Sequence, residues 1–404
     1  MNKVMILNSY FGLKKLKPEQ EEIIDLVMEG KDVIGLLPTG FGKSVTFVIP
    51  ALMLEGITIV ITPLISLMQD QVKNLKAKGI KADFISSLLD RYEIDSVFYR
   101  LQSGKIKILY VAGERLLSQK FLYVISKINV SFIVVDEAHT LLWSEDFRYS
   151  LSKISDFVKK IKIRPRLLAL TATATPTTTD KIIDIFGLDH PKIIKINCDR
   201  ENIFYKIVRT NNKNKYLSSY IKEHIDEKGI IYCLTINACE CVFSFLSSLG
   251  YDVSIYHGKL KNEAKKKAYE DFKSGRSNLI VCTNAFGMGI DIPNIRFVIE
   301  YDLPASIEDF SQQTGRASRD GKYGEGIILY SEHDIATLEY FIENIYNEEK
   351  NDKEIDKIKK EHYHKLDSII SLCISNRCVH KTVSNYFGFD HKGNCMMCSN
   401  CKRS

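Results

Sequence analysis

The chain is poor in several features that would have classified it early. Its 404 residues include a single tryptophan, Trp143, and no uncharged apolar run approaches the ~18 to 20 residues of a membrane-spanning helix. The start, MNKVMILNSYFGLKKLKPEQ, lacks the long apolar centre and small-residue cleavage site of a secretory signal. The expectation is a cytoplasmic protein, nucleoid-associated if the source is bacterial, with no membrane partner. No short-period repeat and no low-complexity segment is present, which argues against a solenoid or a linker-like chain. Charge of one sign is also scarce: 56 basic against 50 acidic residues leave +6, too little to mark a nucleic-acid partner unaided.

What is present is ordinary globular composition, 45% hydrophobic and 26% charged, in a chain long enough for two or three cores. From Val33 onward short β-branched runs (DVIGLL, TIVIT, IKILYV, FIVVD, RLLALT) alternate with segments of helical spacing. The rhythm restarts after TNNKNK (210–215) with GIIYC, YDVSIYH, NLIVCT, IRFVIEY and EGIILY. Such alternation predicts parallel sheets covered on both faces, hence an α/β fold with two tandem units. Beyond Glu332 the pattern turns helical. The expected division is 1–200, 201–334 and 335–404.

Between the first strand and a helical segment lies PTGFGKS, Pro38 to Ser44. A glycine-rich turn in that position aims backbone N–H groups and a helix N-terminus at phosphate. Pro38, Thr39, Gly40, Phe41 and Gly42 form the cradle, Lys43 adds a charge, and the Ser44 hydroxyl can bind Mg²⁺. Leu37 stands where the strict pattern has its first glycine. About one hundred residues on, FIVVDEAH ends an apolar strand with Asp136 and Glu137, and open parallel sheets place ligands at the carboxyl ends of their strands. An acid there can hold Mg²⁺ with Ser44 while its neighbour orients or deprotonates an attacking water.

The ten cysteines are unevenly placed. Cys198, Cys233, Cys239, Cys241 and Cys282 are scattered, often in apolar runs, and read as small core hydrophobes; Cys373, Cys378, Cys395, Cys398 and Cys401 crowd one end. Four thiolates suit a closed tetrahedral zinc site that contributes folding energy, with Cys373, His380 and His391 as competing ligands. The last 28 positions carry five basic residues and one acidic, a local excess of +4.

Taken together, the Asp-Glu-Ala-His tetrad and the phosphate loop resemble the superfamily 2 helicases. FGLKKLKPEQ, TPLISLMQDQ, YVAGERL, LALTATAT, DRENI, YHGKL, AFGMGIDIPNIRFVI and QQTGRASRDG, in that order, narrow the resemblance to the RecQ family over essentially the whole chain. The resemblance implies two RecA-like lobes followed by a helical zinc-binding module, with ATP bound between the lobes. It implies that Lys17, Gln20 and Asp291 join the phosphate loop in holding nucleotide. Lys43, Asp136 and Glu137 become catalytic, joined by Arg316 and Arg319, with Arg319 as the arginine finger. Ser66, His139, Trp143, Phe147, Arg148 and Gln312 are then assigned to DNA binding and coupling. Aromatic faces in the segment after the tetrad would stack on bases at ~1 to 3 kcal/mol each. Family spacing also selects Cys378, Cys395, Cys398 and Cys401 as the zinc ligands.

The chain departs from the family in places: Lys17 stands for arginine, Gly113 for proline, Ser318 for glycine and Asp291 for asparagine. IIYCLTIN lacks a Ser-Arg pair, and the segment from the tetrad to Trp143 is one residue short. The implied activity is a DNA helicase hydrolysing ATP with 3′ to 5′ polarity, in DNA recombination and repair, requiring ATP, Mg²⁺ and Zn²⁺. Its expected partners are single-stranded DNA and single-strand/duplex junctions, and a monomer is the working expectation. The alternatives are a DNA-stimulated ATPase that anneals or remodels strands without unwinding them, and an RNA helicase.

Overall fold

A computed structural model describes residues 2–38, 40–62, 65–139, 154–197, 199–287, 292–345, 351–391 and 393–402, the side chains of 65 and 66 excepted. Two compact units emerge, Met1–Asn197 and Cys198–Ser404.

The first unit is built on a seven-stranded sheet in the order β3-β4-β2-β5-β6-β1-β7: β1 (Val33–Leu36), β2 (Ile57–Ile61), β3 (Ala82–Ile85), β4 (Ile108–Val111), β5 (Val130–Val135), β6 (Arg166–Thr171) and β7 (Lys192–Lys195). Every pairing is parallel. Successive side chains in a strand face opposite ways, so near-continuous apolar runs bury both faces. Ile34, Ile59, Ile61, Leu109, Ile133 and Val135 enter one core, while Val33, Val60, Ile108, Tyr110, Phe132 and Val134 enter the other.

The five apolar runs of the sequence become β1, β2, β4, β5 and β6. The other two strands are poorly signalled. β3 carries Asp83, whose side chain is buried against Arg100 at 2.7 Å and Lys76 at 3.3 Å. β7, KIIK, is an edge strand with exposed lysines, a composition that discourages further strand pairing.

The order β5-β6-β1 has a functional consequence. Three loops far apart in sequence, those after β1, β5 and β6, leave the same end of adjacent strands.

The second unit carries a six-stranded parallel sheet in the order β10-β11-β9-β12-β13-β8: β8 (Ile203–Arg209), β9 (Lys228–Tyr232), β10 (Val253–Tyr256), β11 (Leu279–Cys282), β12 (Ile295–Glu300) and β13 (Gly324–Tyr330). Helices Glu332–Glu343, Asp352–Ile374 and Val379–Tyr386 follow. They do not build a separate core. One apolar cluster runs from Ile203, Tyr205 and Phe310 through Leu366, Ile369 and Cys373 to Cys398 and Cys401. The outer edge of β8 is closed by the last cysteine loop: Tyr205 N–H donates to Met397 O at 3.0 Å, and Ser399 N–H to Tyr205 O at 2.9 Å. Among the described residues no helix is long and apolar enough to cross a membrane.

Candidate functional site

The loop after β1 turns through two left-handed glycines, Gly40 at φ 81° and Gly42 at φ 93°. At Gly42 that φ strains any residue with a side chain, and a Cβ there would lie 2.7 Å from Gln20 Nε2, forcing Gln20 to shift. Gly42 caps helix Lys43–Met53, whose first turn presents backbone N–H groups and the positive end of the helix dipole to an anion. The loop is braced from outside. Gln20, only 4% exposed, donates from Nε2 to Phe41 O at 2.9 Å and accepts from Lys17 N–H at 3.0 Å. The Lys17 ammonium sits 4.0 Å from the Phe41 ring centroid, a cation–π contact. Pro38 is half-buried, while Gly40 and Ser44 are exposed.

The loop after β5 brings the tetrad to the same end. Lys43 Nζ donates to Glu137 Oε1 at 3.1 Å across 94 positions of sequence. Asp136 is 5% exposed. Its carboxylate accepts from Glu137 N–H at 3.0 Å and from Gln71 Nε2 at 3.3 Å. Burial, then the adjacent Glu137 charge, push its pKa up to about 6, against the pull of Lys43 and the Gln71 hydrogen bond. Glu137 itself adopts φ 49°, a backbone region that costs a non-glycine residue about 1 to 3 kcal/mol and is concentrated at functional sites.

The third loop, after β6, completes the set. His139 Nδ1 lies 2.6 Å from Thr171 Oγ1 and 3.6 Å from Glu137 Oε2. Thr171 Oγ1 in turn donates to Thr173 O at 3.2 Å. The histidine therefore joins the acid pair to the LALTATAT segment through buried polar contacts.

In the second unit, helix Ile307–Thr314 leads into the arginine-bearing turn. Arg316 is 4% exposed and packs inward: its Nη2 would lie 3.0 Å from a Cβ at Gly287. Nearby, Tyr232 Oη donates to Phe286 O at 2.7 Å. Arg319 and Gln312 are half-buried. Ser318 adopts φ 50°, which explains why glycine is usual at this place in the resembling motif. Its buried hydroxyl donates to Tyr323 O at 2.9 Å and accepts from Arg296 Nη1 at 3.0 Å. Ser318 also dictates Gly324, where a Cβ would stand 2.3 Å from the hydroxyl oxygen.

The sulfurs of Cys378, Cys395, Cys398 and Cys401 all lie within 4.8 Å of one another, with Cys395 and Cys401 at 3.8 Å. A tetrahedral zinc with Zn–S bonds of ~2.3 Å separates its sulfurs by ~3.8 Å, so the four residues fit the ion. Backbone N–H groups of Val379, Lys381 and Met397 point at Cys398, Cys378 and Cys395 sulfurs at 3.5, 3.4 and 3.3 Å, as thiolates require. The competing ligands are engaged elsewhere. His380 hydrogen-bonds Asp199 through Nδ1, and its Nε2 lies 3.1 Å from the Ile203 and Met397 carbonyl oxygens. His391 Nε2 stands 3.7 Å from the other Asp199 oxygen. Cys373 is buried in the second unit's core, and its sulfur is not one of the four that cluster.

Thr39, Trp143, Phe147, Arg148, Asp291 and the side chain of Ser66 lie outside the described residues. Sequence reasoning overlooked Gln71, Thr171 and Thr173. All three sit inside segments quoted for the resemblance; for Thr171 and Thr173 a polar residue at or just past the end of an apolar strand was the available signal, whereas Gln71, inside the helix Ile65–Ala77, offered none. It also overlooked Arg200 and Asn202 in DRENI, whose partners are more than one hundred positions away.

Comparison with known proteins matches three family models in succession: DEAD/DEAH box helicase over 17–182, helicase conserved C-terminal domain over 212–321, and RecQ zinc-binding over 332–402. The chain is 36% identical over 398 residues to the ATP-dependent DNA helicase RecQ of Bacillus subtilis (strain 168), covering 98% of this chain and 66% of that one. It is 36% identical over 342 residues to the probable ATP-dependent DNA helicase RecS of the same organism, covering 83% of this chain and 68% of that one. The chain spans 61 to 66% of the length of the first three RecQ relatives. In fold alone it is similar to S. cerevisiae Dbp5 bound to RNA and ADP BeF3, with a TM-score of 0.67 at 17% identity, covering 91% of this chain and 97% of that one. With the phosphate loop, the tetrad and the four-cysteine module each in its place, the chain belongs to the RecQ family of superfamily 2 helicases.

Proposed function

We propose that the chain is an ATP-dependent DNA helicase of 3′ to 5′ polarity that couples ATP hydrolysis to movement on single-stranded DNA. The observation that carries this reading is the meeting of Lys43 with Glu137 beside a buried Asp136. A phosphate that competes for Lys43 takes that cation away from Glu137, leaving its carboxylate to orient a water and accept its proton. Substrate arrival and base release are then one event.

Ser44 and Asp136, both hard oxygen donors, would hold Mg²⁺, which when bound with nucleotide neutralises phosphate charge. Arg319 supplies further positive charge as phosphoryl transfer proceeds. The histidine bridge from Glu137 to Thr171 and Thr173 gives the acid pair a route by which DNA engagement can reach it. Trp143, Phe147 and Arg148 are the proposed stacking and phosphate contacts, joined by Ser66 and Gln312. Junctions between single and double strands are the preferred substrate, and the monomer is the acting species. The relatives whose printed names say DNA helicase favour DNA over RNA as the strand engaged.

The test uses partial duplexes with a 3′ or a 5′ overhang, with ATP turnover measured on single-stranded DNA. Opening of the 3′ substrate alone is expected, with DNA-stimulated turnover that Trp143→Ala abolishes while basal turnover persists. Failure to open either substrate, together with strand annealing in the absence of ATP, would overturn the helicase reading in favour of an annealing protein.

A further inference from the structure

The turn Gly315–Ser318 presents a backbone problem. It follows helix Ile307–Thr314, so carbonyl oxygens at and beyond the helix end need partners outside the helix ladder. It also passes through the left-handed Ser318. One side chain answers most of this. Arg200 Nη1 donates to Gly315 O at 3.0 Å, and its Nη2 donates to Ala317 O at 3.2 Å and Ser318 O at 3.0 Å. Asn202 adds a second brace: its Nδ2 donates to Ser318 O at 3.0 Å and Lys322 O at 2.7 Å. Arg200 Nε in turn donates to Asn202 Oδ1 at 3.4 Å. Only a guanidinium offers several donors in a rigid planar fork of this reach. Among the described residues, the hydrogen bonds of the Arg200 guanidinium go to backbone carbonyls and to Asn202.

We propose that Arg200 is a positioning residue for Arg319: by clamping the carbonyls of Gly315, Ala317 and Ser318, it sets the backbone from which Arg319 projects. This rests on the reading of Arg319 as the arginine that stabilises phosphoryl transfer. Arg200 touches no reacting atom in this account; it acts through geometry that would otherwise relax.

The test is a double-mutant cycle on the full chain, using Arg200→Ala, Arg319→Ala and the double variant. The readouts are kcat and KM for ATP on saturating single-stranded DNA, with thermal midpoints to count folded molecules. Arg200→Ala is expected to lower kcat roughly 10-fold or more with KM little changed, since an interaction made only in the transition state lowers kcat. The double variant is expected to be no slower than Arg319→Ala. Arg200→Lys keeps the charge without the fork and should rescue only part of the rate. Lys228→Met removes a buried ammonium that caps another helix, donating to Phe272 O at 2.7 Å and Lys273 O at 3.2 Å, and should leave kcat per folded molecule unchanged.

If Arg319→Ala slows turnover and the two losses multiply, the inference is wrong while the proposed function stands. It is equally wrong if Arg200→Ala keeps the wild-type kcat per folded molecule. If Arg319→Ala itself leaves turnover unchanged, the role assigned to Arg319 fails and the inference falls with it.

Discussion

Asp136 is where burial and chemistry pull hardest against each other. Its carboxyl titrates near 6 instead of 3.8 because burial and the neighbouring Glu137 charge disfavour ionisation. In its proposed role as a Mg²⁺ ligand Asp136 must be ionised, so kcat/KM for ATP should fall as pH drops through about 6. The sign for stability is the reverse. Between 3.8 and about 6 the folded chain keeps a proton that the unfolded chain gives up, so stability declines across that window as pH rises. Gln71 opposes the shift by donating to the carboxylate at 3.3 Å. Gln71→Ala should therefore move the acid limb of the pH–rate profile to higher pH. A limb that stays put or moves down would contradict this account of Asp136. The role of Gln71 was invisible in the sequence because a hydrogen bond across 65 positions leaves no local pattern. Lys43, Asp136 and Glu137 stood out as candidates for the opposite reason: Lys43 opens the helix after a glycine-rich turn, and the two acids follow the end of an apolar strand, so residue type and local context agree. Ser318 was noticed as a departure, but why glycine is usual there became clear only from its φ of 50°.

At the scale of elements, most strands that read clearly are buried on both faces, where hydrophobicity is continuous; β10, a half-buried edge strand, read clearly because its VSIY carries no charge. β3, β7 and β8 read poorly because each lies at a sheet edge and carries charge: Asp83, Lys192 and Lys195, and Lys206 and Arg209. The cysteine module was legible as a zinc site from spacing. What spacing could not convey is that its loop seals the β8 edge through Tyr205 and that its sulfurs adjoin the second unit's core. Loss of the ion should therefore weaken the whole unit. Cys398, fully buried, is the most informative position. Cys398→Ser should reduce bound zinc and lower the second unit's thermal midpoint by roughly 6 to 12 °C, equivalent to about 3 kcal/mol in a unit of this size. Metal analysis with differential scanning calorimetry checks both. Full zinc content with an unmoved transition would show that the cluster is not what holds this edge.

Across the whole molecule, the acid pair, the lysine and the loop belong to Met1–Asn197, whereas Arg319 and the zinc module belong to Cys198–Ser404. That tandem arrangement was legible in the sequence as a repeated strand-and-helix rhythm. The brace on the arginine turn was not, since Arg200 reaches its partners across 115 to 118 positions. The account's central claim is that nucleotide held by the first unit is hydrolysed with help from an arginine of the second. Steady-state ATP turnover of Arg319→Ala, on saturating single-stranded DNA and with zinc content and folding verified, tests it most directly. The account predicts a loss of ~10³-fold or more in kcat; turnover indistinguishable from the unmodified chain would contradict it.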